Sequence, residues 1–177
     1  MQLQNPSGTI VAAHQPNFFP WLPYFEKIAR CDVFVVLDDV QYPRSSKGTW
    51  INRVNVLNHG RAQYLTAPIR RLHDQLTPIN AVQFAPDQPW RSKMILTLQH
   101  LYGKTPFARE LLGPICDLVA TRAESLVEYN LACIRGVLEL LRIDAGKLRL
   151  ASPYRMQTTS AQRIADPGEA LPLRLKP

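Results

Sequence analysis

Cysteine is scarce and scattered. Cys31, Cys116 and Cys133 are the three in 177 residues, and no two are close enough to form a CxxC pair. That spacing argues against a structural zinc site or a disulfide framework, and the apolar neighbours of each make buried thiols the expectation. Glycine is low as well, eight in the chain. There is no GxGxxG, no Walker lysine loop, no GxSxG and no HxxxD pair, so the common dinucleotide, P-loop, serine-hydrolase and acyltransferase signatures are missing. No apolar run approaches the length of a membrane span. The opening MQLQNPSGTIVAA lacks the basic and long apolar regions of a signal peptide. A cytoplasmic globular protein is expected. Acidic residues are in the minority, 14 against 21 Lys and Arg, which leaves a net charge of +7. Such a balance permits contact with nucleic acid, phosphate or an anionic surface. The basic residues are scattered, however, with no polybasic tail, so an RNA-binding module is suggested by charge alone and nucleic acid is not the expected partner.

The informative part of the chain is AAHQPNFFPWLPYFEKIARCDVFVVLDDVQYPR, Ala12 to Arg44. Thr9 to Ala13 reads as a short buried strand. Pro16 and Pro20 then block regular structure and push Gln15 and Phe19 out of the helical region. WLPYFEKIAR resumes with helical spacing, Leu22, Phe25, Ile28 and Ala29 sharing a face and Pro23 tolerated in the first turn. The valine-rich DVFVVLDD reads as a second buried strand. Strand, about ten helical residues and strand make a βαβ unit with parallel neighbouring strands. His14 would then leave the first strand, and Asp38 and Asp39 the second, on the carboxyl edge where α/β proteins usually bind ligands.

After Gln41 a polar, basic loop leads to a short strand near Trp50 to Val56. QYLTAPI, Gln63 to Ile69, is another strand candidate, RRLHDQLTPI is irregular, and NAVQFA is a short edge strand. The second half reads as helical. Trp90, Met94, Leu98 and Leu101 share a face closed by Gly103. TPFARELLGPICDLVA starts a helix at Thr105 and Pro106. A long helix opens on Thr121 with Glu124 at capping-box spacing and ends near Ile143. Asn130 is the odd polar residue on its apolar face. The fold class is therefore α/β, an N-terminal βαβ-based small sheet followed by a helical C-terminal half. One domain covers 1–150, with its sheet part at 9–85 and its helical part at 88–143. Residues 151–177 form an irregular tail, and the helix ending near Ile143 is expected to be the last well-packed element. Such a chain would leave apolar surface uncovered and open to self-association.

His14 can act as base, acid or binding group, or simply bond its own loop. Of the adjacent Asp38 and Asp39 one should face inward, to orient His14, accept a proton or hold Mg²⁺, or else to cap a turn. Gln15 and Asn17 suit sugar hydroxyls or a base edge. Phe18, Phe19 and Trp21 could stack on a ligand, although Phe19 and Trp21 read better as anchors of the loop. Arg44, Lys47 and Arg53 could clamp a phosphate or carboxylate, Arg53 most specifically and with Asn52 beside it, while Lys47 also reads as part of a solvated loop. No metal ligand set emerges, and the sequence specifies no cofactor.

HQPNFFPWLPYFEK, LDDVQ, NR at Asn52–Arg53 and YLTAP resemble, in order and spacing, the pattern of the WbqC-like protein family of bacteria. The resemblance runs from about Ile10 to Ile143. Pro23 stands where the family tends to have Gly, and Tyr64 where Trp is usual. The residues after the long helix do not resemble the family's continuation, so a shortened end is expected. The resemblance implies a transferase of surface-polysaccharide (O-antigen) biosynthesis, with aminoacyl (glycyl) transfer to a nucleotide-linked amino sugar as the proposed activity. The residues are compatible with that activity, with His14, Asp38 and Asp39 as catalytic candidates and Gln15, Asn17, Gln41, Asn52 and Arg53 as candidates to bind a nucleotide-sugar or other small-molecule substrate. The alternative is a noncatalytic nucleotide- or sugar-binding protein of the same pathway.

Overall fold

In the computed structural model, residues 8–43, 49–74, 76–86 and 88–154 are described. Strand β1 (Val11–His14) leads through the HQPNFFP loop into helix α1 (Leu22–Arg30) and on to strand β2 (Val33–Val36). The two strands pair in parallel, Val11 opposite Val33 through His14 opposite Val36. This is the expected βαβ unit. In β2, Phe34 and Val36 are fully buried. β1 is more open than expected: Val11 and Ala13 are exposed, because among the described strands β1 pairs with β2 alone. Helix α1 buries Tyr24, Phe25 and Ile28, with Pro23 in its first turn. Leu22 and Ala29, expected on the inner face, are instead exposed. Tyr24 takes the inner position because its ring meets Phe34 edge-on and its hydroxyl donates to the Gln15 carbonyl at 3.1 Å. Each buried apolar side chain of this kind contributes about 1.5–3 kcal/mol.

Strands β3 (Arg53–Asn58) and β4 (Arg61–Thr66) form a separate antiparallel hairpin, Arg53 opposite Thr66 and Asn58 opposite Arg61. The two residues between them, His59 and Gly60, both have positive φ, 46° and 79°. That is the primed two-residue turn whose twist matches the strands, and glycine enters it without penalty. Val54 and Leu65 face each other toward the core, while Leu57 and Tyr64 point out.

Helix α2 (Trp90–Tyr102) buries Trp90, Met94 and Leu98, and its last residue ties it to the hairpin, the Leu57 N–H donating to the Tyr102 hydroxyl at 3.0 Å. The expected helix from Thr105 does not form at once. Turns give way to a π-helical segment at Ala108–Leu112, and only then does α3 (Gly113–Ala120) run regularly. Pro114 lacks the N–H that would bond one turn back, so a wide turn absorbs the break. Helix α4 (Leu126–Leu140) is capped by Ser125, not Thr121, and its side chain accepts the Glu128 N–H at 3.1 Å. The capping-box spacing is thus Ser125 to Glu128, one turn later than expected. The helix ends near Ile143, as read from the sequence: Arg142 turns left-handed and the Ile143 N–H bonds back to the Leu138 carbonyl at 2.9 Å. Helix α4 is the spine of the core. Phe18, Phe84 and Trp90 cluster around its fully buried Tyr129.

One expectation fails here. The helix ending near Ile143 is not the last well-packed element. Strand β5 (Leu148–Leu150) follows and pairs in parallel with β2, so the sheet order is β1-β2-β5. Three residues carry too little periodicity to announce a strand. Their partner lies more than a hundred positions earlier, and β2 would otherwise leave one row of amides and carbonyls unpaired. Most of the expected tail, residues 155–177, lies outside the described residues.

Candidate functional site at the carboxyl edge of the sheet

His14 closes β1, and its carbonyl accepts the Leu37 N–H at 2.9 Å. His14 and Asp38 therefore leave parallel strands on the same edge. The His14 ring is half-buried, edge-on to Tyr24 at 5.1 Å, with Nδ1 3.1 Å from the Gln15 carbonyl. A carbonyl only accepts, so Nδ1 is the donor of this bond, and in the neutral ring Nε2 is then the acceptor. The Tyr24 hydroxyl donates to the same carbonyl, and burial pushes its phenol well above the usual range, so it stays a donor.

Asp38 is the carboxylate that faces inward, 2% exposed. Its Oδ1 accepts the N–H groups of Ala151 at 3.1 Å and Ser152 at 2.9 Å, just past β5. The plainer of its two readings, a backbone cap, is what this oxygen does. Asp39 is half-buried and also has a partner. Gln41 is exposed, likewise partnered, and forms a backbone bridge with Pro78.

Asn52 is buried between two fixed groups. Its Nδ2 donates to the Ala67 carbonyl at 2.9 Å, and its Oδ1 accepts the Tyr42 hydroxyl at 3.0 Å. It holds the base of the hairpin together. Arg53 differs. Its guanidinium lies 4.0 Å over the Tyr64 ring, its Nε is buried without a hydrogen-bond partner, and among the described residues it meets no carboxylate. Burial raises the phenol of nearby Tyr42, against the pull of its Thr49 hydrogen bond and the Arg53 charge.

Asn130 explains how these loops meet. It is fully buried in α4, and its Nδ2 donates to the carbonyls of Pro16 at 2.7 Å and Ile51 at 2.8 Å. One side chain thus fastens the HQPN loop and the segment leading into Asn52–Arg53 to the same helix. The Phe18 N–H adds a bond to the Trp50 carbonyl at 2.8 Å. On the other side, the amides of Ile79 and Asn80 donate to the carbonyls of Val40 and Asp38. Within the HQPN loop, Gln15 uses its backbone carbonyl as described, and Asn17 is half-buried between buried Pro16 and Phe18. Phe19, just before Pro20, has φ 41°, a left-handed backbone that costs about 1–2 kcal/mol. Its ring packs on Phe18 and Tyr129. Trp21, expected to anchor the loop, is instead 71% exposed; Phe18, 1% exposed, is the anchor.

Arg44 and Lys47 lie outside the described residues. A hollow of about 650 Å³ opens elsewhere, between Arg70, Phe84, Trp90, Arg91 and Glu124, and none of the site candidates lines it. Its Arg91 is occupied by the Thr121 carbonyl at 2.9 Å and stacks on Trp90. Among the described residues no group of three or more His, Cys, Asp or Glu could hold a metal ion. No described helix is long and apolar enough to cross a membrane.

A short parallel sheet whose carboxyl edge is flanked by loops, two of them pinned to one helix by Asn130, defines an α/β protein with a polar edge site. The chain belongs to the WbqC-like protein family, which matches residues 15–172. The match runs past Ile143, where the resemblance read from the sequence ended, and takes in β5. A similar curated protein is "Uncharacterized protein Rv1507c" of Mycobacterium tuberculosis (strain ATCC 25618 / H37Rv), 30% identical over 147 residues, 69% of this chain and 62% of that protein. The chain thus spans less than two thirds of that relative's length. No solved structure matches.

Proposed function

We propose that the chain is a transferase of surface-polysaccharide assembly, acting in the cytoplasm on a nucleotide-linked amino sugar, with glycyl or another aminoacyl group as the transferred unit. The observation that carries this reading is His14. Its Nδ1 is held by the Gln15 carbonyl, so the neutral ring presents its Nε2 as the acceptor beside a sheet edge. In the step envisaged, the sugar amine nitrogen attacks the carbonyl carbon of an activated aminoacyl ester or thioester. The new C–N bond forms as the C–O or C–S bond breaks. His14 Nε2 takes the proton that the amine loses and returns it to the leaving group. Arg53 holds a phosphate of the nucleotide. Family membership supports the pathway.

A noncatalytic nucleotide- or sugar-binding role is the second reading. It is favoured by Asp38 and Asn52, whose polar atoms serve the fold. A thermal-shift panel of nucleotide sugars, free nucleotides and short RNA separates the readings, since a ligand of the native state raises apparent stability. Amino-sugar nucleotides that stabilise the wild type, together with aminoacyl transfer that His14→Ala abolishes, support the first. Stabilisation without transfer supports the second, and a response to RNA alone would refute both.

A further inference from the structure

Trp50, Tyr64 and Arg53 form an exposed group that the sequence reading did not assemble. Trp50 and Tyr64 are 54% and 49% exposed, large fractions for rings of this size in a chain with a well-filled aromatic core. Their centroids are 6.2 Å apart and their planes tilted by 52°, so they do not cover each other. Trp50 is fixed by its carbonyl, which accepts the Phe18 N–H from the HQPN loop. Tyr64 sits in β4 opposite Asn55, and the Arg53 guanidinium lies 4.0 Å above its ring. Stacking holds the guanidinium plane in one orientation and removes water from one face. Yet it makes no hydrogen bond and no ion pair among the described residues, and its Nε is already dehydrated. A half-buried cation in this state is short of an anion. Beside it stands the Trp50 ring, on which no ring of the described residues is stacked face to face.

We propose that this group is a nucleoside-diphosphate subsite: the base stacks on Trp50, and the Arg53 fork, oriented by Tyr64, takes the diphosphate. A ribose is the natural span between a stacked ring and a neighbouring cation. A bare sugar phosphate would leave Trp50 idle, and a free base would leave Arg53 unpaired. The assignment deepens the transferase reading and rests on it for the identity of the substrate class, since it names the part of a nucleotide-linked sugar that is held rather than altered. It makes Trp50 a binding residue and Tyr64 a positioning residue that acts through Arg53.

The test is calorimetric titration of the full chain with uridine 5′-diphosphate, adenosine 5′-diphosphate, uridine and inorganic pyrophosphate, at two salt concentrations. The expected result is tighter binding of the diphosphates than of uridine or pyrophosphate, weakened by salt. Trp50→Ala should weaken nucleoside diphosphates about tenfold or more and leave pyrophosphate unchanged. Arg53→Gln should weaken both, and Arg53→Lys should recover only part. Tyr64→Phe should behave as wild type, because the ring and not the hydroxyl orients Arg53. Each variant is first checked for an unchanged melting transition; Trp50→Ala removes an exposed side chain and is the one that decides if an Arg53 variant unfolds. Nucleoside-diphosphate affinity that is indifferent to Trp50→Ala, or no diphosphate binding by the wild type, would overturn the subsite. If Trp50-dependent binding is found but no aminoacyl transfer, the subsite stands and the transferase reading falls. If transfer proceeds equally well in Trp50→Ala, the transferase reading stands and the subsite falls.

Discussion

Replacing Asp38 is the most direct way to ask what the carboxyl edge is built for. Its Oδ1 accepts the N–H groups of both Ala151 and Ser152, and the residue is 2% exposed. Asp38→Ala therefore removes two charge-assisted hydrogen bonds at the end of β5 and strands the Ser152 donor. A bond to a charged group contributes about 1.5–3 kcal/mol, and one of the two donors, Ala151, can fall back on the Val36 carbonyl at 2.9 Å. The expected loss is about 2–4 kcal/mol. For a chain of this size that lowers the melting temperature by roughly 5–15 °C. Asp38→Asn keeps an oxygen in the same place but gives up the charge, and should cost about 1 kcal/mol. Urea denaturation gives the free energies. Amide hydrogen exchange locates them: protection at Ala151, Ser152 and β5 should fall well below that of α4. The sequence reading placed Asp38 among the catalytic candidates. A melting temperature unmoved within a degree in Asp38→Ala, with transfer abolished, would refute the clamp and return Asp38 to catalysis.

Three further outcomes follow from the geometry. His14→Ala should reduce aminoacyl transfer at least a hundredfold in a steady-state assay while moving the melting temperature only a few degrees, since the ring is half-buried and its described hydrogen bond is to the neighbouring residue. Asn130→Ala leaves the Pro16 and Ile51 carbonyls without their donor and should cost about 2–4 kcal/mol in urea titrations. Asn130→Asp should be worse at neutral pH, because a carboxylate would face both carbonyl oxygens. The buried Cys133 thiol, which donates to the Leu118 carbonyl, is pushed by burial up to about 12 from an ordinary 9.0. Its contribution to stability is present in full below about pH 9 and lost as pH rises through about 12, so the urea midpoint should fall over that window and less steeply in Cys133→Ala.

The βαβ unit was legible because its signals are local: a valine-rich run, prolines that stop regular structure and one amphipathic turn of helix. The shared edge of His14 and Asp38 followed from topology. What Asp38 does there was not legible, since its partners are amides more than a hundred residues later, and no pattern around LDD or LRLAS announces the pairing. Asn52 and Asn130 were noticed as oddities, one beside an arginine and one on an apolar face. Their shared role as ties between loops depends on long-range packing. The hairpin had a readable cue in His59–Gly60, a turn pair that admits positive φ at both positions. The broken start of α3 had one too, in Pro114, which forbids the uninterrupted helix that Thr105–Pro106 seemed to open. Trp50 and Tyr64 carried no cue as a pair, because the register that brings them near Arg53 is fixed by the hairpin.

The pairing of β5 with β2 also sets an order of events during synthesis. The ribosome releases β1, α1 and β2 first, and these can form their parallel pair early. The second side of β2 then waits while the hairpin and the helices through α4 emerge, until Leu148–Leu150 arrives and Asp38 closes on the next two amides. Closing so long a loop delays the step and leaves an open strand edge in the interval. A nascent chain stalled just before Leu148 would therefore present β2 to any neighbouring strand. Five further residues would end that exposure.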